Sequence, residues 1–188
     1  MTSKSSGGKP VREWPVVVLK PPKTKVVLDQ DQLLDYVTTR FVGMVIKRTR
    51  KGLDVDGKSF VSYSNAYIRQ LAATGRGDGS RVDLTLTGGL LSSLGERRRQ
   101  ITKDRAEVWI GPSTSKGPAL KYSSPPDGKP AMISDGTSKK THAQIGSYHH
   151  RGKGHNPRRE WLGLTRAEWR KLARELQKHD AALVSRRR

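Results

Sequence analysis

The stretch from Asp29 to Arg50 constrains the fold more than any other part of the chain. Leu33, Leu34, Val37, Phe41, Met44 and Val45 recur at three- and four-residue spacing, which places them on one stripe of a helix. Asp29 and Asp31 stand at the positive end of its dipole, and Lys47, Arg48, Arg50 and Lys51 at the negative end. Gly52 then closes it. Such a stripe must be buried against other elements, yet only 33% of the 188 residues are hydrophobic, and 19 are glycine and 10 proline. The core is therefore modest, and the length suits one domain with extensions.

A second long helix is marked at Thr165. Glu168 follows three residues later, the spacing of a capping box, and Leu164 and Trp169 flank the cap as a hydrophobic staple would. Trp169, Leu172, Ala173, Leu176 and Leu183 share one face of the helix that follows.

Between the two helices the signals are shorter. Asp56-Gly57 marks a tight turn, Ser64 a cap for a short helix through Ala73, and Thr87 a cap for another containing Leu90, Leu91 and Leu94. Ile101 and Val108-Trp109-Ile110 belong to strands, and Ala143 to His149 alternates loosely enough to predict a further strand paired with residues 106–111. Residues 112–141, rich in Pro, Gly, Ser and Lys, are expected to form a long loop. The resulting expectation is an α+β domain over residues 29–184. Its two main amphipathic helices pack on a small antiparallel sheet, between an arm of residues 1–28 and a basic tail of residues 185–188. Within the arm, Trp14, Val16, Val17, Val18 and Leu19 are apolar and lie beside Pro15, Pro21 and Pro22, which forbid a central strand. They are expected to lie extended either against their own domain or against a neighbouring subunit, the second being the favoured placement.

Three segments resemble, in order, those of the phage virion morphogenesis family, the tail-completion and head-tail joining proteins of tailed bacteriophages. Gly57 to Tyr67 (GKSFVSYSNAY) is similar to that family's passage after its first helix. Val82 to Leu94 (VDLTLTGGLLSSL) is similar to the passage before its pair of strands, the second matched by Ala106 to Gly111. Pro157-Arg158-Arg159-Glu160-Trp161-Leu162-Gly163-Leu164-Thr165 is similar to the segment before its final helix, with one extra residue ahead of the aromatic. The resemblance implies a non-enzymatic subunit of a ring at the neck or top of the tail. Its partners would be the head-tail connector, tail terminator or tail tube proteins, and it would be assembled in the host cytoplasm. Six copies are implied by the symmetry of such tails, with twelve as the alternative set by the portal. Arg158, Arg159 and Trp161 are then expected at an assembly interface.

Lys and Arg total 37 against 17 Asp and Glu, for a net charge of +20. That balance attracts polyanions in a salt-dependent way without specifying sequence. Five basic runs lie along the chain. Arg97, Arg98, Arg99, Lys139, Lys140, Arg151, Lys153, Arg186, Arg187 and Arg188 are the candidates for contact with DNA or an acidic partner surface. A general nucleic-acid-binding protein of ribosomal or nucleoid type is the alternative that charge alone supports.

Catalytic signals are missing from the sequence. Cysteine is absent, which excludes disulfides and thiolate zinc sites. His149 and His150, if on a strand, would point to opposite faces and could not share a metal ion. Thr74 to Ser80 is Gly-rich without a phosphate-loop pattern, and no Ser sits in a nucleophile elbow. No cofactor is expected. No apolar run approaches membrane-spanning length, and no signal-peptide core is visible, so a soluble, unexported protein is expected.

Overall fold

The computed structural model describes residues 16–19, 30–73, 79, 82, 84, 89–102, 105–123, 131–152 and 157–186. The fold is α+β, as the sequence predicts. In chain order the elements are β1 (Val16–Leu19), α1 (Gln30–Arg50), α2 (Asn65–Ala73), α3 (Gly89–Ser92), β2 (Leu94–Thr102), β3 (Arg105–Pro112), β4 (Lys116–Ser123), β5 (Ala131–Thr141), α4 (His142–Arg151) and α5 (Arg166–Arg186).

The apolar stripe of α1 builds the centre of the molecule. Leu34, Val37, Phe41 and Val45 have no exposed surface and pack with Ala106, Val108 and Ile110, the alternate residues of β3. Trp161, Leu162, Leu164 and Leu172 close the same core from the C-terminal side. Burying each large apolar side chain contributes roughly 1.5–3 kcal/mol. Past Arg50 the chain turns through Gly52, whose φ of 76° suits glycine and whose N–H reaches the Thr49 carbonyl at 2.8 Å. Asp54 then accepts from the N–H groups of Asp56 and Lys58 at 2.9 and 2.8 Å, fixing a small hairpin closed by a bridge between Leu53 and Ser59. Ser64 caps α2, as expected, through the Tyr67 N–H. Leu94, expected in the short helix, instead begins β2.

The main sheet has the order β1-β3-β2 and is antiparallel throughout. Here an expectation is corrected. Val16, Val17, Val18 and Leu19 pair with Trp109, Val108, Glu107 and Ala106 of their own chain, so of the two placements this segment takes the one against its own domain and not the favoured one. The prolines on either side are compatible with this because β1 is an edge strand, one side of which needs no ladder donors.

Two further expectations fail, both downstream of β3. Residues 112–141 are not a long loop, because β4 and β5 form a two-stranded antiparallel hairpin. Pro118, which argues against a strand, sits where the register shifts on either side of it, so the ladder tolerates its missing donor. Residues 143–149 are not a strand but most of α4. Thr141 caps that helix by accepting from the Gln144 N–H at 3.2 Å, while Gln144 accepts from the Thr141 N–H at 2.9 Å. This reciprocal capping box, with Gly152 as a left-handed C-cap, outweighs the weak alternation of the segment.

Helix α5 begins as its sequence predicts. The Thr165 N–H donates to Glu168 at 2.8 Å and the Glu168 N–H to Thr165 Oγ1 at 3.1 Å. The helix lies along α1 through Leu172, an edge-on contact between the Phe41 and Trp169 rings, and an Arg40–Glu175 ion pair with one bond of 2.8 Å. Trp169 stays 41% exposed at the margin of this contact.

Candidate functional site: a locked junction and a basic surface

Residues 157–165 connect α4 to α5, and their side chains divide sharply. Arg158 points outward, 68% exposed, and pairs with Glu160. Arg159 is 3% exposed. Its backbone N–H donates to the His149 carbonyl at 2.7 Å, its Nε to the Val61 carbonyl at 3.1 Å, and its guanidinium lies 5.2 Å from the centre of the Tyr63 ring. Burial pushes its pKa down, with Tyr63 and Tyr67 opposing, but an arginine remains a cation at any relevant pH. Trp161 is wholly buried, and its indole N–H donates to the Gly146 carbonyl at 3.1 Å.

Arg159 and Trp161 are therefore not the interface residues that the sequence suggests. Their polar atoms are consumed inside the chain, and only Arg158 of that trio presents a substantial surface.

The junction is also held from α1. Arg48 is 5% exposed although it belongs to a basic run that reads as a solvated helix end. Its Nη2 donates to the carbonyls of Trp161 at 2.7 Å and Gly163 at 2.9 Å, and its Nη1 pairs with Glu168. The Val55 N–H adds a bond of 2.9 Å to the Glu160 carbonyl. Arg48 falls three residues after Val45 on the apolar stripe, a spacing that could have flagged it as inward-facing.

The other sequence candidates fall into groups. Arg97 sits at a register shift of β2 and spends its guanidinium on the carbonyls of Gly111 at 2.8 Å and Ser93 at 2.6 Å, with burial lowering its pKa. Arg99 is surrounded by Asp31, Asp35 and Glu96 and has its pKa raised by bonds to them, Glu96 first, so its charge is already answered. Arg98 is exposed and stacks over Trp109, 4.9 Å from the ring centre. Lys139 and Lys140 are exposed near the end of β5, with the Lys140 ammonium 4.5 Å over the Tyr148 ring, and Arg151 is exposed at the end of α4. Arg186 is the last residue of α5. Trp14, Lys153, Arg187 and Arg188 lie outside the described residues, as do His155 and Thr87.

His142, His149 and His150 belong to α4, not to a strand. His149 is held down to about 4, first by burial and then by Arg159, and His150 is also lowered, chiefly by burial. His142 Nδ1 lies 3.3 Å from the hydroxyls of both Ser113 and Ser115. Among the described residues no group of three or more His, Asp or Glu is arranged to hold a metal ion, and no helix is long and apolar enough to cross a membrane.

One basic feature escapes a search for contiguous runs. On α5, Arg166, Arg170, Arg174 and Lys178 recur every four residues, and all are exposed, as is Lys171. Glu168 and Glu175 turn to the other side and pair with Arg48 and Arg40. Lys171 and Lys178 lie within electrostatic reach of Glu175 without forming an ion pair among the described residues. Four-residue spacing of a single charge is the signal that reveals this ridge in the sequence.

No family model matches the chain, and no curated protein or solved structure matches it either.

Proposed function

We propose that this chain is a non-catalytic structural subunit of a tailed bacteriophage particle, a tail-completion or neck protein. Copies would form a ring, six in number, joining the head connector to the tail around the DNA channel. One observation carries the reading. Two of the three segments that resemble the virion morphogenesis family interlock in space: the Gly57 to Tyr67 passage receives Arg159 through Val61, Ser62 and Tyr63, and residues 157–165 seat on α1 through Arg48. The third supplies Val82, Leu84, Leu90, Leu91 and Leu94 to the same core. That the three segments share one packed unit is consistent with their acting together and supports the reading. The net charge of +20 suits a subunit that works beside DNA.

The reading is tested by disrupting the gene in the phage genome that encodes the chain. Full heads and complete tails should accumulate unjoined, and antibody to the protein should label the head-tail junction of normal particles. Normal yields of joined particles after disruption, or particles that lack the protein, would refute it.

A further inference from the structure

From the outer face of α5 we infer a duplex-DNA surface, in which Arg166, Arg170, Arg174 and Lys178 grip the phosphate backbone without reading sequence. The four lie on one i+4 ridge, about 6 Å apart along the helix axis and about 18 Å from first to last. All four are exposed, and none forms an ion pair among the described residues.

The arrangement is unfavourable for the helix itself. Each neighbouring pair along the ridge places like charges at i and i+4, which weakens a helix. Arg166 adds a cation in the first turn, at the positive end of the dipole, where an acid would be stabilising. An ordinary solvated helix face mixes charges of both signs. Here both described carboxylates of the helix are turned inward onto Arg40 and Arg48, leaving the outer side positive only. A ridge that costs its own helix stability implies an external anion that offsets the repulsion.

The composition of the face selects the kind of anion. Protein interfaces are depleted in charge at their centre and depend on buried aromatic or aliphatic anchors. Between the cations of this ridge lie Ala167, Ala173 and Gln177, all exposed and none able to anchor a partner, while Trp169, 41% exposed, flanks the ridge on the side turned to α1, where its ring packs against Phe41. Duplex DNA needs no such anchor. It carries a phosphate about every 1.7 Å of its axis, so a straight row of cations always finds partners and can slide from one set to the next. The surface deepens the proposed function, which supplies its setting in a DNA channel. The binding itself can be measured without that setting.

The test uses the full chain and a fluorescent random-sequence duplex, with affinity followed by anisotropy across a salt series. At about 0.9 per neutralised phosphate, changing Arg166, Arg170, Arg174 and Lys178 together to Gln should reduce the slope of log affinity against log salt by about 3.6. That difference amounts to roughly 150-fold between 50 and 200 mM salt. A control with Lys47, Lys51, Lys58 and Lys116 changed to Gln loses the same net charge and should keep most of the slope. Replacing the three ridge arginines by Lys should keep it as well, since phosphate gripping needs only the charge; melting curves of the control and Lys variants should match the parent, while the Gln ridge variant, relieved of its like-charge pairs, should melt slightly higher. Equal slopes for the ridge variant and the parent would overturn the inference and leave the ridge to an acidic protein surface. Equal losses in ridge and control would overturn it in favour of diffuse attraction by net charge. Because gene disruption reads head-tail joining and not DNA affinity, failure of the ridge and failure of the neck assignment are told apart.

Discussion

Replacing Arg48 with alanine removes one guanidinium that serves three acceptors on a segment more than 110 residues away. The variant leaves the buried carbonyl of Trp161 without its donor and takes the second donor from Gly163. Glu168 fares better, because it is 21% exposed and keeps the Thr165 N–H. Hydrogen bonds to a charged group contribute about 1.5–3 kcal/mol each. Breaking a buried pair from one side costs about 3–5 kcal/mol. Water can reach Glu168 and relieve part of the stranded charge, so the expected loss is about 4 kcal/mol, in the middle of that range. For a chain of this size it corresponds to a melting temperature lower by about 8–16 °C. Arg48→Lys should recover about half, since one ammonium cannot fork between the carboxylate and two carbonyls. Lys47→Ala, one residue away but exposed, should stay within about 0.5 kcal/mol of the parent. Urea unfolding followed by tryptophan fluorescence reads all three. If Arg48→Ala lost less than about 1 kcal/mol, or no more than Lys47→Ala, the guanidinium would not be the clamp described above.

Two other outcomes follow from the packing and charge of α4. A Cβ at Gly146 would stand 3.0 Å from Trp161 Cζ2, 3.1 Å from Pro112 Cγ and 3.2 Å from Leu90 Cδ1, so Gly146→Val should cost about 2–3 kcal/mol by overpacking and shift the Trp161 emission; parent-like stability would show that the pocket can expand. His149, held to about 4 in the folded chain against about 6.5 when unfolded, contributes stability that is complete above pH 6.5 and declines as the unfolded state takes up a proton below it. Stability should fall by about 2 kcal/mol between pH 6.5 and 5, above the range in which Glu175, whose pKa is lowered first by its bond to Arg40, begins to matter. The fall should be smaller in His149→Gln, and equal stability at pH 7 and 5 in the parent would contradict the burial of the imidazole.

What the sequence disclosed was local. The stripe of α1 and the Thr165–Glu168 box are written within a few residues, and both stand as expected. The Thr141–Gln144 box is equally local, but the faint alternation of residues 143–149 is the pattern that reads as a strand, and only the formed cap shows that the segment is α4. The partner of β1 was not legible, because an edge strand announces its prolines and its apolarity but not which sheet it joins. Arg48, Arg159 and Trp161 show the opposite difficulty. Their residue types suit an exposed interface, and only the three-dimensional convergence of carbonyls around two guanidinium groups turns them inward. The cations of the α5 ridge form no contiguous run; they become neighbours only once the helix forms, and their four-residue spacing is the trace this leaves in the sequence.

The long reach of Arg48 also imposes an order in time. Its two carbonyl acceptors are 113 and 115 residues further along the chain and Glu168 is 120 residues away. At about 5–20 residues per second on the ribosome, Arg48 precedes them by roughly 6–24 s. In that interval α1 can gather the strands that follow it, but its last turn holds a charge that cannot yet be buried. Until the junction emerges, Arg48 lacks the carbonyls that receive it and the core lacks Trp161, Leu162, Leu164 and Leu172. Synthesis interrupted before Trp161 therefore leaves the core without four of its buried side chains, Trp161, Leu162, Leu164 and Leu172.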